Sequence, residues 1–202
     1  MNLKRIYAIT ARVAFVFATL FVLSLSLLSC SKDDDPNPLP QEPSIPLNTV
    51  KIDGVVKRIF NAEVREDYLG EGHYDLCLHF SEDGKDFIRM QLDKTFHEGK
   101  TIDLTKVEDD HEGWYLYFVC KKNGETLFVS SRRPSLKNTY VRFKEGTLTL
   151  KELERNGEES VKLKIVLSKG KIKDHKAGDG KEHTIEINFN DNVEIKEELS
   201  LS

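Results

Sequence analysis

The sequence from residue 49 onward predicts an all-β fold, either a single antiparallel meander closed as a barrel or a sandwich of two sheets. Apolar and polar residues alternate with a period of two, as they do in strands with one buried face. Dipeptides of Asp or Asn followed by Gly separate these segments and suit tight hairpin turns. Because no window has the sustained apolar spacing of an amphipathic helix, we expect about ten strands joined mostly by short turns.

The predicted strands run from the middle of the chain to its end. In the clearest hairpin, residues 147–154 and 160–167 flank Asn156-Gly157. The other turn dipeptides are Asp53-Gly54, Asp83-Gly84, Asn123-Gly124 and Asp179-Gly180. The predicted strands cover residues 74–80, 87–92, 101–104, 114–120, 126–130, 140–143, 147–154, 160–167 and 183–190, and Val193 and Ile195 indicate a last one.

Residues 1–29 have the pattern of a secretory signal peptide. Lys4, Arg5 and Arg12 make the first twelve residues basic, and residues 13–28 then run for sixteen positions without a charge. That apolar run is slightly shorter than the roughly 20 residues that a transmembrane helix needs. We therefore predict export of the chain.

The segment Leu27-Leu28-Ser29-Cys30 resembles the lipobox of bacterial lipoproteins. The resemblance implies that the Cys30 thiol receives a diacylglyceryl group and that cleavage before it makes Cys30 the first mature residue. Each buried methylene of such chains contributes about 0.8 kcal/mol to membrane binding. The alternative is an uncleaved membrane anchor that contains an incidental cysteine.

The residues after Cys30 resemble the export signal of lipoproteins from Bacteroidota. This short acidic run consists of Ser31, Lys32, Asp33, Asp34 and Asp35. In that group such a run directs the protein to the outer leaflet of the outer membrane, which implies a domain facing the cell exterior. The alternatives are a solvated spacer and a lipoprotein that faces the periplasm.

Residues 30–48 are predicted to form a linker between the lipid and a domain at residues 49–202. Five of the six prolines lie between Pro36 and Pro46, which favours an extended backbone of roughly 50 Å. The whole layout resembles small surface lipoproteins of Bacteroidota, some with calycin-like barrels and others with immunoglobulin-like or fimbrillin-like sandwiches. This resemblance concerns layout alone and implies no functional residues.

Charge argues against nucleic acid as a partner. Without residues 1–29 the chain has 27 Lys and Arg against 34 Asp and Glu, a net charge of −7. The two signs are interspersed, so no basic field is available for a phosphate backbone. The membrane, reached through the lipid, is the one partner that the sequence specifies.

Cys77 and Cys120 both lie in predicted strands. In an oxidising compartment they could form a disulfide, and the alternative is that both remain free, buried as small apolar side chains. The histidines do not form a ligand array, and no nucleophile motif or phosphate-binding loop is present. We therefore expect no metal, no cofactor and no enzymatic activity.

The aromatic segment at residues 114–118 is the best candidate for ligand contact. In a strand, Trp114, Leu116 and Phe118 point to one face, and Tyr115 and Tyr117 point to the other. One set belongs to the core, while the other forms either an aromatic platform for sugars or peptides or packing beneath a loop. Just downstream, the segment Arg132-Arg133-Pro134 is either an anion contact or a solvated loop.

The sequence thus predicts an outer-membrane lipoprotein that acts as a non-enzymatic binding or accessory module for a glycan, a peptide or a partner protein. The alternatives are a lipocalin-like carrier of a small lipophilic molecule and a structural or adhesive subunit of a surface assembly. An apolar interior cavity would favour the carrier, and a filled core would favour binding at the surface.

Overall fold

The computed structural model describes residues 44–66, 72–108, 115–133 and 140–196. Chain contacts divide the protein into Met1–Asn37 and Pro38–Ser202, and all described residues belong to the second unit. The predicted signal peptide, lipobox, Cys30, export signal and most of the proline-rich linker lie outside the described residues, as does Trp114.

The prediction of an all-β fold is confirmed. The described residues form eleven strands and one helix of four residues. In chain order these are β1 (Thr49–Ile52), β2 (Val55–Arg58), β3 (Asn61–Glu66), β4 (His73–His79), β5 (Phe87–Asp93), α1 (Lys94–His97), β6 (Thr101–Asp103), β7 (Tyr117–Lys122), β8 (Glu125–Ser131), β9 (Glu145–Asn156), β10 (Ser160–Lys173) and β11 (Glu182–Ile195).

All eleven strands belong to one sheet that curls into an open half-barrel. Its main path is β6-β9-β10-β11-β3-β4-β5-β7-β8, so β6 and β8 are the outermost strands of this path. The connectivity departs from a simple meander because the edge of β11 pairs antiparallel with β1 and then parallel with β3. At 14 residues, β11 is long enough for both partners.

The concave side of the sheet is filled by apolar side chains. Alternate residues of β10 and β11, such as Leu163, Ile165 and Ile187, are fully buried, as the period-two pattern predicts. Phe143 packs edge-on against Phe118 and Phe128, with ring centroids 5.5 and 5.8 Å apart. Burial of each such side chain contributes about 1.5–3 kcal/mol, so this core accounts for most of the cohesion of the sheet.

Residues 140–143 and the segment after β5 differ locally from the sequence prediction. Residues 140–143 do not form a strand, because only Val141 makes a bridge, to Ser130, while Phe143 turns into the core. The helix α1 was not predicted; it forms because the Asp93 carboxylate accepts hydrogen bonds from the backbone N–H groups of Thr95 and Phe96. Within the described ranges, no helix has the length and apolar character needed to cross a bilayer.

Candidate functional site: a basic, aromatic groove

A groove of about 690 Å³ opens beside the chain segments that follow β6, β8 and β10. We call it the open-side groove. Phe143 forms part of its floor because its ring packs into the core, and Val107 lies on the wall with 42% of its surface exposed. Among the described residues, the lining consists of Thr105, Val107, Ser131, Arg133, Tyr140, Val141, Arg142, Phe143, His175 and Lys176.

The described lining of the open-side groove is basic, although the chain has a net charge of −4. Arg133, Arg142 and Lys176 are exposed, and none of the ten lining residues is acidic. Within the part of the chain that the structure describes, neither Arg133 nor Arg142 forms an ion pair with a carboxylate. Guanidinium groups bind carboxylates and sulfates through paired hydrogen bonds, so this lining favours an anionic ligand.

The two tyrosines that the sequence predicts as ligand contacts lie next to this groove. Leu116 and Phe118 are buried, whereas Tyr115 and Tyr117 are half-buried on the other face, as predicted. The ring of Tyr117 meets the ring of Tyr140 nearly at right angles, with centroids 5.6 Å apart.

A cation–π contact links the other tyrosine to the groove. The Arg133 guanidinium lies 5.5 Å from the centroid of the Tyr115 ring. Burial raises the pKa of Tyr117, so its phenol keeps its proton at neutral pH. Aromatic faces and guanidinium groups therefore lie side by side, although the sequence alone did not connect Tyr140 or Arg142 with them.

A buried charge cluster holds the walls of the groove in place. Glu108 accepts a hydrogen bond from the backbone N–H of Leu116 at 2.9 Å, contacts His97 Nε2 at 2.9 Å and forms an ion pair with Arg132. Burial alone would raise the pKa of Glu108, but the hydrogen bond to His97 and the charges of His97 and Arg132 lower it. The cluster ties the segments after β6 and β8 to the start of β7.

Comparisons with protein-family models, with curated proteins and with solved structures found no match. Function must therefore be inferred from the side chains and their geometry. The open-side groove is where aromatic and basic side chains from several elements converge.

The disulfide between Cys77 and Cys120, one of the two alternatives that the sequence allows, does not form. Cys77 and Cys120 are both free, and they lie two strands apart on opposite faces of the sheet. Strands are about 4.8 Å apart, which separates the two residues by more than the roughly 7 Å that a disulfide tolerates. Burial raises the pKa of both thiols, to about 12 for Cys77, so both are protonated at neutral pH.

Proposed function

We propose that the mature chain is a lipid-anchored, surface-displayed, non-enzymatic binding module whose open-side groove binds an acidic ligand. The observation that carries the proposal is the grouping of Arg133 and Arg142 with Tyr115, Tyr117 and Tyr140 on a protein of negative net charge. General electrostatic attraction does not draw anions to such a protein, so a local basic groove gives selectivity.

The chemistry of the groove favours an acidic glycan over a neutral one. Tyrosine rings stack on the apolar faces of sugars, and guanidinium groups form paired hydrogen bonds with uronate carboxylates or sulfates. The groove volume of about 690 Å³ lies within the range of about 300–1,000 Å³ that is typical of small-molecule sites. An acidic peptide would use the same cations but would gain less from the ring faces.

The filled core supports binding at the surface over the carrier alternative. Among the described residues, the concave side is occupied by side chains such as Leu76, Met90 and Phe118, all with at most 2% of their surface exposed. A lipophilic ligand would need a hollow interior lined by these residues. The open-side groove instead has exposed arginines along its lining.

An array of neutral, uronate-bearing and sulfated glycans, with acidic peptides in parallel, tests the proposal. We expect the mature chain to bind acidic glycans, and the double substitution Tyr115→Ala with Tyr117→Ala to abolish this binding while the fold is preserved by circular dichroism. Phe60→Ala is the matched control because Phe60 is an exposed aromatic residue outside the groove lining. A preference for neutral glycans, or an unchanged profile in the double variant, would refute the proposal.

A further inference from the structure

Three different metal-ligating side chains meet on the outer face of the sheet, away from the open-side groove. Glu63 in β3 lies opposite Cys77 in β4, and His79 follows Cys77 by two residues. Because side chains alternate along a strand, this spacing places all three on one face. One ligand atom from each, a carboxylate oxygen, a sulfur and an imidazole nitrogen, lies within 4.8 Å of the other two.

We infer that Glu63, Cys77 and His79 form a binding site for a divalent transition-metal ion, with Zn²⁺ as the best fit. In tetrahedral zinc sites, metal–ligand distances of about 2.0–2.3 Å place the ligand atoms roughly 3.3–3.8 Å apart. His79 Nε2 and Glu63 Oε1 are already 3.8 Å apart. The Cys77 sulfur lies within 4.8 Å of both atoms, so metal binding requires it to approach them by about 1 Å.

The donor set decides which metal fits. A thiolate and an imidazole favour Zn²⁺ over Ca²⁺ and Mg²⁺, which prefer oxygen ligands. Three protein ligands leave a fourth position for water or an exogenous ligand, and a depression of about 190 Å³ surrounds the site. On binding, the metal replaces the proton of the Cys77 thiol, and this proton passes to solvent.

Two arginines, Arg65 and Arg89, line the same depression, and Arg65 is exposed to solvent. Arg89 lies opposite Cys77 in the ladder between β4 and β5, but its guanidinium group is held by both carboxylate oxygens of Asp75. The ring of Phe87 packs against the imidazole of His79, with centroids 5.9 Å apart, and limits its rotation. The buried Nδ1 atom of His79 has no hydrogen-bond partner among the described residues.

Sequence reasoning missed this site because two of its ligands are separated from Glu63 by 14 and 16 positions, with no motif between them. The only signal in the sequence was the pair Cys77 and His79 at strand spacing. The third ligand, Glu63, cannot be found from the sequence, because it depends on which strand pairs with β4. The pairing of β3 with β4 in the folded sheet places Glu63 opposite Cys77.

Titration of the mature chain with Zn²⁺ and with Co²⁺ tests the inference, in a Cys30→Ser background that leaves only two thiols. We expect one Zn²⁺ per chain, a rise in Tm with Zn²⁺, and the sulfur-to-cobalt charge-transfer band of a tetrahedral Co²⁺ site. Cys77→Ser should abolish that band, and Glu63→Gln and His79→Gln should each weaken Zn²⁺ binding about tenfold or more.

Two controls separate this site from other metal-binding groups. His175→Gln, an exposed histidine elsewhere, and Cys120→Ala, the buried thiol on the opposite face, should both retain the cobalt band. Absence of stoichiometric Zn²⁺ binding by the folded chain would overturn the inference. Zn²⁺ affinity unchanged in folded His79→Gln or Cys77→Ser would overturn it as well.

Discussion

His183 connects two separate turns through its imidazole ring. Its Nδ1 lies 2.8 Å from Asp53 Oδ2, in the turn between β1 and β2, and its Nε2 lies 2.9 Å from Asp179 Oδ1, in the loop before β11. Burial alone would lower the pKa of His183, but the hydrogen bonds and negative charges of the two carboxylates outweigh it and raise the pKa above 6.5. The protonated imidazole is therefore the form that stabilises the fold.

The stability of the domain should depend on the charge of His183. Because the folded-state pKa is raised, this contribution is fully present below the ordinary value of 6.5 and is lost as the pH rises through the folded-state pKa. As the pH rises from 6.5 through the folded-state pKa of His183, we expect the Tm of the wild-type domain to fall more than the Tm of His183→Gln. His175→Gln, which changes an exposed histidine, should follow the wild type. Identical pH profiles for wild type and His183→Gln would refute this assignment.

A bulge in β10 allows the long hairpin to bend. The register between β10 and β11 shifts between Leu167 and Gly170, and Lys169 adopts a positive φ of 53°. A Cβ atom on Gly170 would lie 2.7 Å from the backbone oxygen of Ile185 and 2.6 Å from Leu167 Cδ2. The neighbouring strand thus approaches too closely for any other residue at this position.

Gly170→Ala should therefore destabilise the domain by about 1–3 kcal/mol, because the added methyl group overpacks a site where backbone atoms cannot move aside. Urea denaturation measures this as a lower midpoint with an unchanged slope. Lys169→Gly is the control, since glycine accepts the left-handed conformation at the same bulge. A Gly170→Ala variant as stable as the wild type would show that the bulge relaxes freely.

At the level of elements, sequence patterns predicted local structure well and long-range pairing poorly. The turn at Asn123-Gly124 and the hairpin of β9 and β10 are confirmed, since both depend on residues close in sequence. Period-two alternation shows which face of a strand is buried, but it does not specify a partner strand. The alternation therefore could not predict the parallel pairing of β11 with β3, two strands more than 120 residues apart in the sequence.

Because sequence patterns report local structure and not long-range contacts, only part of the candidate site could be predicted. Tyr115 and Tyr117 stood out because their strand is densely aromatic. Tyr140 and Arg142 did not, because residues 140–143 alternate like a strand but leave the sheet to line the groove. Only the folded chain brings these segments together.

On the scale of the whole molecule, the proposal requires that lipid on Cys30 attaches the chain to a membrane. If the Cys30 thiol carries the lipid, the wild-type chain should incorporate a labelled fatty acid supplied to the cells, and Cys30→Ala should not, because the attachment atom is gone. Cys77→Ala should keep the label. A wild-type chain that stays in the membrane fraction without incorporating the label would instead favour the uncleaved anchor.

The direction in which the domain faces can be measured on the same cells. If the acidic run after Cys30 directs export, protease treatment of intact cells should degrade the domain. Changing Asp33, Asp34 and Asp35 to Asn should then protect it until the cells are lysed. Protection of the wild-type domain in intact cells would place it in the periplasm.

If the basic groove binds an acidic ligand, its affinity for an acidic glycan should fall as the ionic strength rises. Arg133→Gln with Arg142→Gln should weaken binding by about tenfold or more and flatten its dependence on salt. Lys151→Gln with Lys164→Gln removes the same charge from the exposed faces of β9 and β10 and should bind like the wild type. Equal losses of affinity in the two double variants, or no loss in the arginine variant, would contradict binding of the acidic ligand by these arginines.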